Sequence, residues 1–492
     1  MSGPIPGPAE FVELQKRLRR MSEDPMPGKT RTILVIPSFS VDRDLLINNP
    51  EFRYWEHRML YLLSKLSDPA TRMCYVSTCE VTREALLYYV DLLPDVFRRD
   101  LDRLQFITCP GSASEPLAER LLRRPDILLE LRRAIDLTDE AYIECFASTN
   151  AEKELALILQ VPMYGSDPTV TSYGLKSESR RLFRQLEIPV PEGVEGVYGL
   201  DQLAEALVEL KAKEPRLQQA VVKLDDSLGG VGNALFSYSG APDRPALREW
   251  VKQELLTRLE LAMSIIDRNR FFDRIARSGC VVESFVDGAR SPSVQCEIKP
   301  SGEVIVASTH EQQMTGLGGQ HFSGCFLPAT DPQWIQNTAR LVGDALQSKG
   351  VIGWYGVDFV VESGPEPHAY ALEINLRNLG TVHHLMTLRS LTGGRYVPER
   401  GIFLTKSGRT RFYYGSDAIR LPNAVGVKGS DLLAYATSRG WMYRAPEQTG
   451  VVLHMIDAMT SYGRIGVTCI GYSAAASYSS YSDVLRDLQE LG

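Results

Sequence analysis

The sequence predicts a mixed α/β protein: an open α/β unit, then an α+β core, then a smaller α/β unit at the carboxyl end. Short β-branched strands alternate with helical segments over residues 30–165, as in an open parallel sheet. From residue 219 onward, strands are separated by glycine-rich turns, which favours an α+β arrangement. The 492 residues give room for about three domains.

Strands and helices alternate in the first unit after a proline- and glycine-rich amino terminus. We predict a flexible tail and a helix over residues 1–27 and one α/β domain over residues 28–165. The predicted strands are 32–36, 73–77, 104–108 and 142–147, and the predicted helices are 53–66 and 115–135. These strands are short and apolar, as parallel strands covered on both faces are.

The core, predicted over residues 166–400, opens with helix 175–186, which Pro189 and Pro191 bring to an end. Its predicted strands are 219–224, 234–238, 280–286, 293–299, 303–309, 355–361 and 368–376. Its other predicted helices are 200–213, 244–265 and 333–349. Residues 401–492 form the last predicted unit, with strand 450–456, a glycine-rich stretch at 463–472 and helix 480–490.

Charge and cysteine content exclude several classes of function. The net charge of −7 argues against a nucleic-acid partner, which requires a basic surface. The eight cysteines form no CxxC pair and the seven histidines no HExxH motif, so no zinc motif is predicted. The amino terminus lacks a signal-peptide pattern, and no run of about 18 apolar residues occurs. We therefore expect a cytoplasmic protein that has no membrane partner.

The segment 370–377 carries the most informative pattern of polar residues. Side chains alternate along a strand, so Glu373, Asn375 and Arg377 share one face, and Asp358 joins them if the two predicted strands pair. Two carboxylates and an amide supply the hard oxygen ligands that suit Mg²⁺, while an arginine can bind a phosphate. The alternative is a half-exposed strand with a Glu–Arg ion pair.

A second candidate is a strand that carries a lysine and ends in a glycine-rich turn. Lys223 precedes Ser227, Gly229, Gly230 and Gly232. Glycines let backbone N–H groups approach phosphate oxygens, and lysine supplies a point charge. The segment is not a P-loop, because no lysine follows the glycines, and not a Rossmann turn, because no clear helix follows at once. An ordinary turn between two strands explains the same residues.

The order of the motifs along the chain is more specific than any one of them. Lys223 with its glycine-rich turn is followed by VVESFVDG at 281–288, which alone is a plain sheet strand, then by VDF at 357–359 and LEINLR at 372–377. This ordered set resembles the ATP-grasp superfamily. Lys176, which precedes an Ile-Pro-Val-Pro segment, also fits the superfamily's opening segment.

The flanking segments extend the resemblance over most of the chain. Residues 76–78, 87–94 and 121–125 precede the core, and residues 450–456 and 463–471 follow it. Together they are similar to the pheganomycin-type peptide ligases, which carry a pre-ATP-grasp domain, an ATP-grasp core of two α+β subdomains and a characteristic C-terminal domain. The resemblance implies a lid subdomain at about 218–287.

The resemblance also implies which residues bind the nucleotide. Lys176 and Lys223 would hold its phosphates. The turn from Ser227 to Gly232, with Gly229 and Gly230, would be the lid loop above them. Backbone groups of the hinge strand would read the adenine. These hinge residues are Glu283, Phe285 and Val286.

The metal site and the phosphoryl-transfer residue follow from the same resemblance. Asp358, Glu373 and Asn375 match its magnesium ligands, with Glu373 bridging two ions, and Mn²⁺ is an alternative metal. Arg377 matches an arginine that stabilises the transferred phosphoryl group. ATP and Mg²⁺ are therefore the expected cofactors.

The implied activity is ATP-dependent formation of an amide bond in specialised-metabolite biosynthesis. ATP would convert an amino acid or peptide-like acid to an acyl phosphate that an amine attacks, with release of ADP and phosphate. The expected partners are small-molecule acids and amines, and a second copy of the chain in a homodimer. Two alternatives stay open: an ATP-grasp ligase that loads an amino acid onto a carrier-protein thiol, and a catalytically inactive nucleotide-binding scaffold.

Four residues are candidates for contact with the acid substrate. His310 and Gln312 lie in a polar, glycine-rich segment, 310–325, which is predicted as a loop between a strand and a helix. His383 and His384 closely follow the predicted metal-binding strand. The alternatives are a surface loop and a histidine pair at the start of a helix.

Overall fold

The computed structural model describes residues 8–23, 28–40, 43–112, 114–227, 229–243, 245–263, 265–364 and 368–491. Most of the predicted amino-terminal tail, residues 1–7, and Leu228 of the predicted lid loop lie outside the described residues. Within the described ranges, none of the helices combines the length and the apolar character that crossing a membrane requires.

Five parallel strands form the first sheet, in the order β3–β2–β1–β4–β5. They are β1 (Arg31–Ile36), β2 (Thr71–Ser77), β3 (Leu104–Thr108), β4 (Glu140–Cys145) and β5 (Met163–Tyr164). The helices of this part are α1 (Pro8–Glu23), α2 (Arg43–Asn48), α3 (Arg83–Leu92), α4 (Leu117–Leu121), α5 (Pro125–Ile135) and α6 (Asn150–Leu159). Ile33 and Val35 pack into one apolar cluster and Leu34 and Ile36 into another, so both faces of the sheet are covered.

The four strands predicted in this part are confirmed, whereas both predicted helices differ. Predicted helix 53–66 is a 3₁₀ helix, Pro50–Ser67. Predicted helix 115–135 is two helices, α4 and α5, because Pro125 begins the second and restricts the residue before it to an extended backbone. The other short 3₁₀ helices of the described chain are Arg98–Arg103, Pro168–Gly174, Leu317–Gly319, Pro398–Arg400 and Pro422–Ala424.

The second sheet is antiparallel, in the order β6–β10–β7–β8–β9. Its strands are β6 (Gly193–Val197), β7 (Gln219–Leu224), β8 (Asn233–Ser237), β9 (Leu259–Leu261) and β10 (Cys280–Ser284). The neighbouring helices are α7 (Lys176–Gln185), α8 (Gly199–Lys213), α9 (Leu247–Arg258) and α10 (Arg268–Ser278). The predicted helix 244–265 is wrong at its end, because Leu259–Leu261 pairs with β8 as an edge strand.

The third sheet runs in the order β15–β14–β11–β12–β13–β18–β17–β16, and β20 joins β18 to β19. Its core strands are β11 (Gly288–Ile298), β12 (Val304–Thr315), β13 (His321–Leu327), β14 (Gly353–Glu362) and β15 (Ala369–Asn375). The later strands are β16 (Arg395–Val397), β17 (Ile402–Leu404), β18 (Thr410–Arg420), β19 (Gly450–His454) and β20 (Arg464–Gly471). The helices are α11 (Gln333–Ser348), α12 (Val382–Thr392), α13 (Gly429–Ser438), α14 (Asp457–Tyr462) and α15 (Ala474–Gln489).

The third sheet is continuous from the predicted core into the carboxyl-terminal residues, since β13 pairs with β18. Two predictions are corrected here. The segment 310–325 is most of a hairpin between β12 and β13 rather than a loop before a helix. The glycine-rich stretch at 463–472 is mainly β20, a strand buried along its whole length.

Candidate active site

The predicted pairing of the two polar strands is confirmed. β14 and β15 pair antiparallel, with Asp358 opposite Glu373. Asn375 Nδ2 donates to Asp358 Oδ2 at 2.9 Å and to Glu373 Oε1 at 3.4 Å, and Arg377 Nη2 donates to Asn375 Oδ1 at 2.7 Å. The structure therefore joins these four side chains in one hydrogen-bonded group.

The donor atoms of this group fit a divalent cation. The amide nitrogen of Asn375 lies between two carboxylates, and half a turn of the amide would present its oxygen at the same place. Burial and then the nearby Glu373 raise the pKa of Asp358. Burial would also raise the pKa of Glu373, but Lys176 and Lys223 outweigh it and lower the pKa. Oxygen ligands of this kind suit Mg²⁺, whose charge would offset the repulsion between the carboxylates.

Both predicted phosphate lysines are buried beside these carboxylates. Lys176 is the first residue of α7, and its Nζ lies 3.2 Å from Glu373 Oε2 and 3.0 Å from Ser227 Oγ. Lys223 lies on β7 and forms an ion pair with Glu283 of β10. The start of α7 is held in place because Ser177 donates twice to Asp225. The ammonium groups of Lys176 and Lys223 thus lie near the carboxylate of Glu373 and come from neighbouring elements.

A cleft of about 610 Å³ is lined by most of the predicted nucleotide-binding residues, though not by Ser227 or Gly232, and its volume is typical of small-molecule sites. Its lining includes the lysines, the glycine-rich turn, the hinge and two carboxylates: Lys176, Lys223, Gly229, Gly230, Glu283, Phe285, Val286, Asp358 and Glu373. The sequence analysis assigned only backbone groups at Glu283. Its side chain also binds Lys223 and accepts from Arg180 Nη1 at 2.7 Å. Arg180 was missed, because its role depends on strands distant in sequence.

The glycine-rich turn is packed against the tip of the β12–β13 hairpin. Gly230 has φ +81°, and a Cβ there would lie 1.8 Å from the carbonyl oxygen of Gln320. Asn233 Nδ2 donates to Gln320 Oε1 at 2.8 Å. A Cβ on Gly232 would lie 2.5 Å from Ser227 Cβ. Glycine at 230 and 232 therefore permits the close packing with which this turn covers the cleft.

A second cavity, of about 540 Å³, adjoins the nucleotide cleft. The two share five lining residues: Gly229, Gln312, Phe322, Asp358 and Glu373. Asn375 and Arg377 line the second cavity. The carboxylates of Asp358 and Glu373 therefore lie where the two cavities meet. A reaction between a nucleotide and a second substrate requires such a position. This cavity was not predicted, because its walls come from segments that are distant in sequence.

The four candidate substrate residues occupy different places. Gln312 lines both cavities, and its Nε2 donates to Asp358 Oδ1 at 2.9 Å. His310 is fully buried, is bonded to Tyr413 Oη at 2.5 Å, and is not among the described residues that line either cavity.

His383 and His384 are also buried and likewise are not among the described lining residues. Their rings pack against His454. His383 Nε2 lies 3.2 Å from Asp417 Oδ2, and Asp417 lines the second cavity. The histidine pair therefore lies behind Asp417 in the wall of the second cavity. The prediction that these histidines contact the substrate is not supported by this position.

We expect the folded protein to lose stability in acid because His310 is buried. Burial lowers the pKa of His310 to about 3, against about 6.5 in an unfolded chain. Below pH 6.5 the unfolded chain therefore gains a proton that the folded chain does not, and stability falls as the pH falls. At pH 5.5 this one histidine costs about 1 kcal/mol relative to neutral pH.

Urea unfolding at about pH 7.5 and pH 5.5 checks this expectation. His310→Gln is expected to lose less stability between the two pH values than the wild type, by about 1 kcal/mol. His368→Gln, at an exposed histidine paired with Glu362, is the matched control and should follow the wild type. An equal loss in the wild type and in His310→Gln would contradict the prediction.

Comparisons with known proteins agree with this geometry. The model of the family described as "IQCH-like, ATP-grasp" matches residues 168–260, and that described as "PGM1 C-terminal domain" matches residues 431–478. The L-propargylglycine--L-glutamate ligase of Streptantibioticus cattleyicolor is 30% identical over 477 residues, which cover 93% of this chain and 94% of that protein. The chain belongs to the ATP-grasp ligases. The resemblance seen in the sequence is confirmed.

The chain is also similar to more distant proteins. IQ motif-containing protein H of Danio rerio is 24% identical over 399 residues, covering 70% of this chain and 37% of that protein. A biotin carboxylase from Campylobacter jejuni superposes with a TM-score of 0.55 at 14% identity, covering 94% of this chain and 93% of that one. The purK N5-carboxyaminoimidazole ribonucleotide synthetase, solved with ADP, gives 0.51 at 13% identity, covering 94% and 98%. The predicted fold class is confirmed.

This ATP-grasp ligase is accordingly an enzyme that forms carbon–nitrogen bonds at the expense of ATP. A structural neighbour at 13% identity, the biotin carboxylase domain of Hydrogenobacter thermophilus 2-oxoglutarate carboxylase, was solved with MgADP, and the ligase relative is named for two small-molecule substrates, L-propargylglycine and L-glutamate. The number of metal ions and the roles of single residues are proposals.

Proposed function

We propose that this ATP-grasp ligase joins the carboxylate of an amino acid or peptide-like acid to an amine through an acyl phosphate. One observation carries the proposal: the nucleotide cleft and the second cavity meet at Asp358 and Glu373. A carboxylate in the second cavity would thus lie next to the γ-phosphate of ATP in the cleft. Its oxygen attacks the γ-phosphorus and ADP leaves. The amine then attacks the carbonyl carbon, inorganic phosphate leaves, and a proton is released.

Charge neutralisation is the main contribution of the surrounding side chains. Two like unit charges about 4 Å apart repel by about 4 kcal/mol at an effective dielectric of 20. In the proposal, Lys176 and Lys223 bind the phosphates, and Arg377 binds the phosphoryl group in transfer. Mg²⁺ held by Asp358, Glu373 and Asn375 would neutralise charge on the triphosphate. We propose two ions bridged by Glu373, with Mn²⁺ as a substitute.

Adenine recognition and exclusion of water complete the proposal. Glu283, Phe285 and Val286 line the cleft, and in the proposal their backbone groups bind the adenine. Gly230 lies close to the carbonyl oxygen of Gln320, which supports the proposal that the turn from Ser227 to Gly232 covers the phosphates. A covered site protects an acyl phosphate from hydrolysis.

Phosphate release in the presence of substrate panels tests the proposed function. The purified chain is incubated with ATP, Mg²⁺ and amino acids, with and without an amine, and products are identified by mass. Phosphate and an amide product only when both an acid and an amine are present support the proposal. Turnover that requires a carrier-protein thiol would contradict the proposal and support the thiol-loading alternative. ATP binding without turnover over a broad panel would contradict it and support the inactive scaffold.

The setting and the organisation of the enzyme are part of the proposal. We propose a cytoplasmic homodimer with domains at residues 28–165, 166–400 and 401–492 and a lid subdomain at about 218–287. The separate second sheet supports the lid. Light scattering measures the number of subunits, and limited proteolysis locates the boundaries.

A further inference from the structure

The second cavity contains a cluster of three arginines that share two carboxylates. Arg58 Nη2 lies 2.7 Å from Asp417 Oδ2. Arg464 Nη1 and Arg420 Nη2 lie 3.2 and 2.7 Å from the same oxygen, Glu51 Oε1. Among the described residues of this cluster, one positive charge is left over. Burial, and the neighbouring Arg420 and Arg464, lower the pKa of a nearby histidine, His321, so its ring adds no further charge at neutral pH.

Several buried polar atoms in residues that line the second cavity lack a hydrogen-bond partner among the described residues. Arg58 Nε, Trp55 Nε1, Thr381 Oγ1 and both amide atoms of Gln295 make no hydrogen bond to any described residue. Arg58, Thr381 and Gln295 are 8%, 4% and 0% exposed, and all four residues line the cavity. Because a buried polar atom without a partner is costly, this set points to a polar ligand.

An aromatic wall borders the arginine cluster. Phe52 stacks on Trp55 with ring centroids 4.1 Å apart, and Phe39 packs against Trp55 at 4.9 Å and Phe146 at 5.2 Å. The Arg58 guanidinium lies 3.8 Å from the centre of the Trp55 ring. The wall continues into apolar residues outside the strands of the second sheet: Leu45 of α2, Val231 in the glycine-rich turn, and Met263 and Ile265 between β9 and α10. Cationic and apolar surfaces thus lie side by side.

We infer that this cavity selects an acceptor α-amino acid that has a free carboxylate and an apolar side chain. The inference rests on the proposed function. The carboxylate binds at Arg58, Arg420 and Arg464, where it supplies the missing negative charge, and the side chain packs against the aromatic wall. This placement directs the amine toward Asp358 and Glu373, which line the same cavity. There the new C–N bond forms as the C–O bond to phosphate breaks, with one proton released.

Calorimetric titration of the full chain with MgADP present tests the inference through binding alone. The probes are leucine, leucinamide and glycine. Leucine is expected to bind at least about tenfold more tightly than leucinamide, which lacks the carboxylate, and than glycine, which lacks the apolar side chain. Equal affinity for leucine and leucinamide, or for leucine and glycine, would overturn the corresponding half of the inference.

Arg420→Gln removes an exposed member of the cluster and should weaken leucine binding about tenfold while leaving leucinamide unchanged. A structural defect would weaken both probes equally and would count against the inference. Arg464→Gln should repeat the effect at a buried position, and a thermal melt verifies folding. Arg395→Gln, at an exposed arginine of β16, is the matched control.

Failure of the inference and failure of the proposed function are distinguishable. Turnover of acid and amine together with equal affinity for leucine and leucinamide would overturn the inference alone. Selective binding of leucine by a chain that never releases phosphate would overturn the proposed function and confine the inference to a binding site.

Discussion

Replacing Glu373 by glutamine is expected to lower kcat by about 10²–10³-fold, the usual cost of removing one electrostatic contact to the transition state. Glutamine keeps the size of the side chain but removes its charge. In the structure that charge lies 3.2 Å from Lys176 Nζ and directly opposite Asp358 on the paired strand. Without it the proposed divalent-cation site loses one carboxylate ligand, while the residues proposed to bind the adenine are unchanged.

Phosphate release at saturating ATP and Mg²⁺ measures the rate, and nucleotide titration shows that the cleft still binds. Glu362→Gln is the matched control, because it makes the same change at a residue of β14 that pairs with His368 outside both cavities. Its rate should equal that of the wild type. A Glu373→Gln rate within about twofold of the wild type would remove Glu373 from the proposed metal site.

The polar strand pair was predictable because its signal is local. Alternation with a period of two places Glu373, Asn375 and Arg377 on one face whatever the rest of the chain does. A glycine-rich turn after a lysine is equally local. Pairing with Asp358 needed one further assumption, that two neighbouring strands meet, and consecutive strands often do.

The second cavity was beyond sequence reasoning because it has no local signal. Trp55 and Arg58 come from a 3₁₀ helix beside the first sheet, Gln295 from β11, and Asp417 and Arg464 from β18 and β20. Only the folded chain brings these segments together. An arginine or aspartate at such a position has the same appearance in sequence as a solvated one.

The burial of three histidines could not be predicted from the sequence for a related reason. A polar segment suggested that His310 faces a substrate, and closeness to the metal-binding strand suggested the same for His383 and His384, whereas each is buried. Tyr413 bonds one nitrogen of the first ring, and Asp417 and Thr468 each contact one nitrogen of the other two rings. A neutral imidazole with a hydrogen-bond partner is compatible with a protein interior, and the partners lie far away in sequence.

Replacing Arg180 by methionine is expected to destabilise the chain by about 3 kcal/mol, because it removes one ion-pair partner from the buried Glu283 and from the partly buried Glu195. Arg180 is fully buried in α7. Its guanidinium donates at 2.7 Å to Glu283 Oε2, to Glu195 Oε1 and to the carbonyl oxygen of Pro191. Lys223 and Arg184 still pair with the two carboxylates, which keeps the expected loss at the lower end of the range for buried ion pairs.

Arg181→Met is the matched control for this change, since it makes the same substitution one residue further along the helix. Arg181 is about half exposed and pairs only at the surface with Glu178, so the expected change is below about 1 kcal/mol. Urea unfolding followed by far-ultraviolet circular dichroism compares the midpoints of the two variants. The two arginines differ mainly in the face of α7 that they occupy. A lower midpoint for Arg180→Met alone therefore measures how far this helix depends on charge pairing to β6 and β10, and equal midpoints would show that it does not.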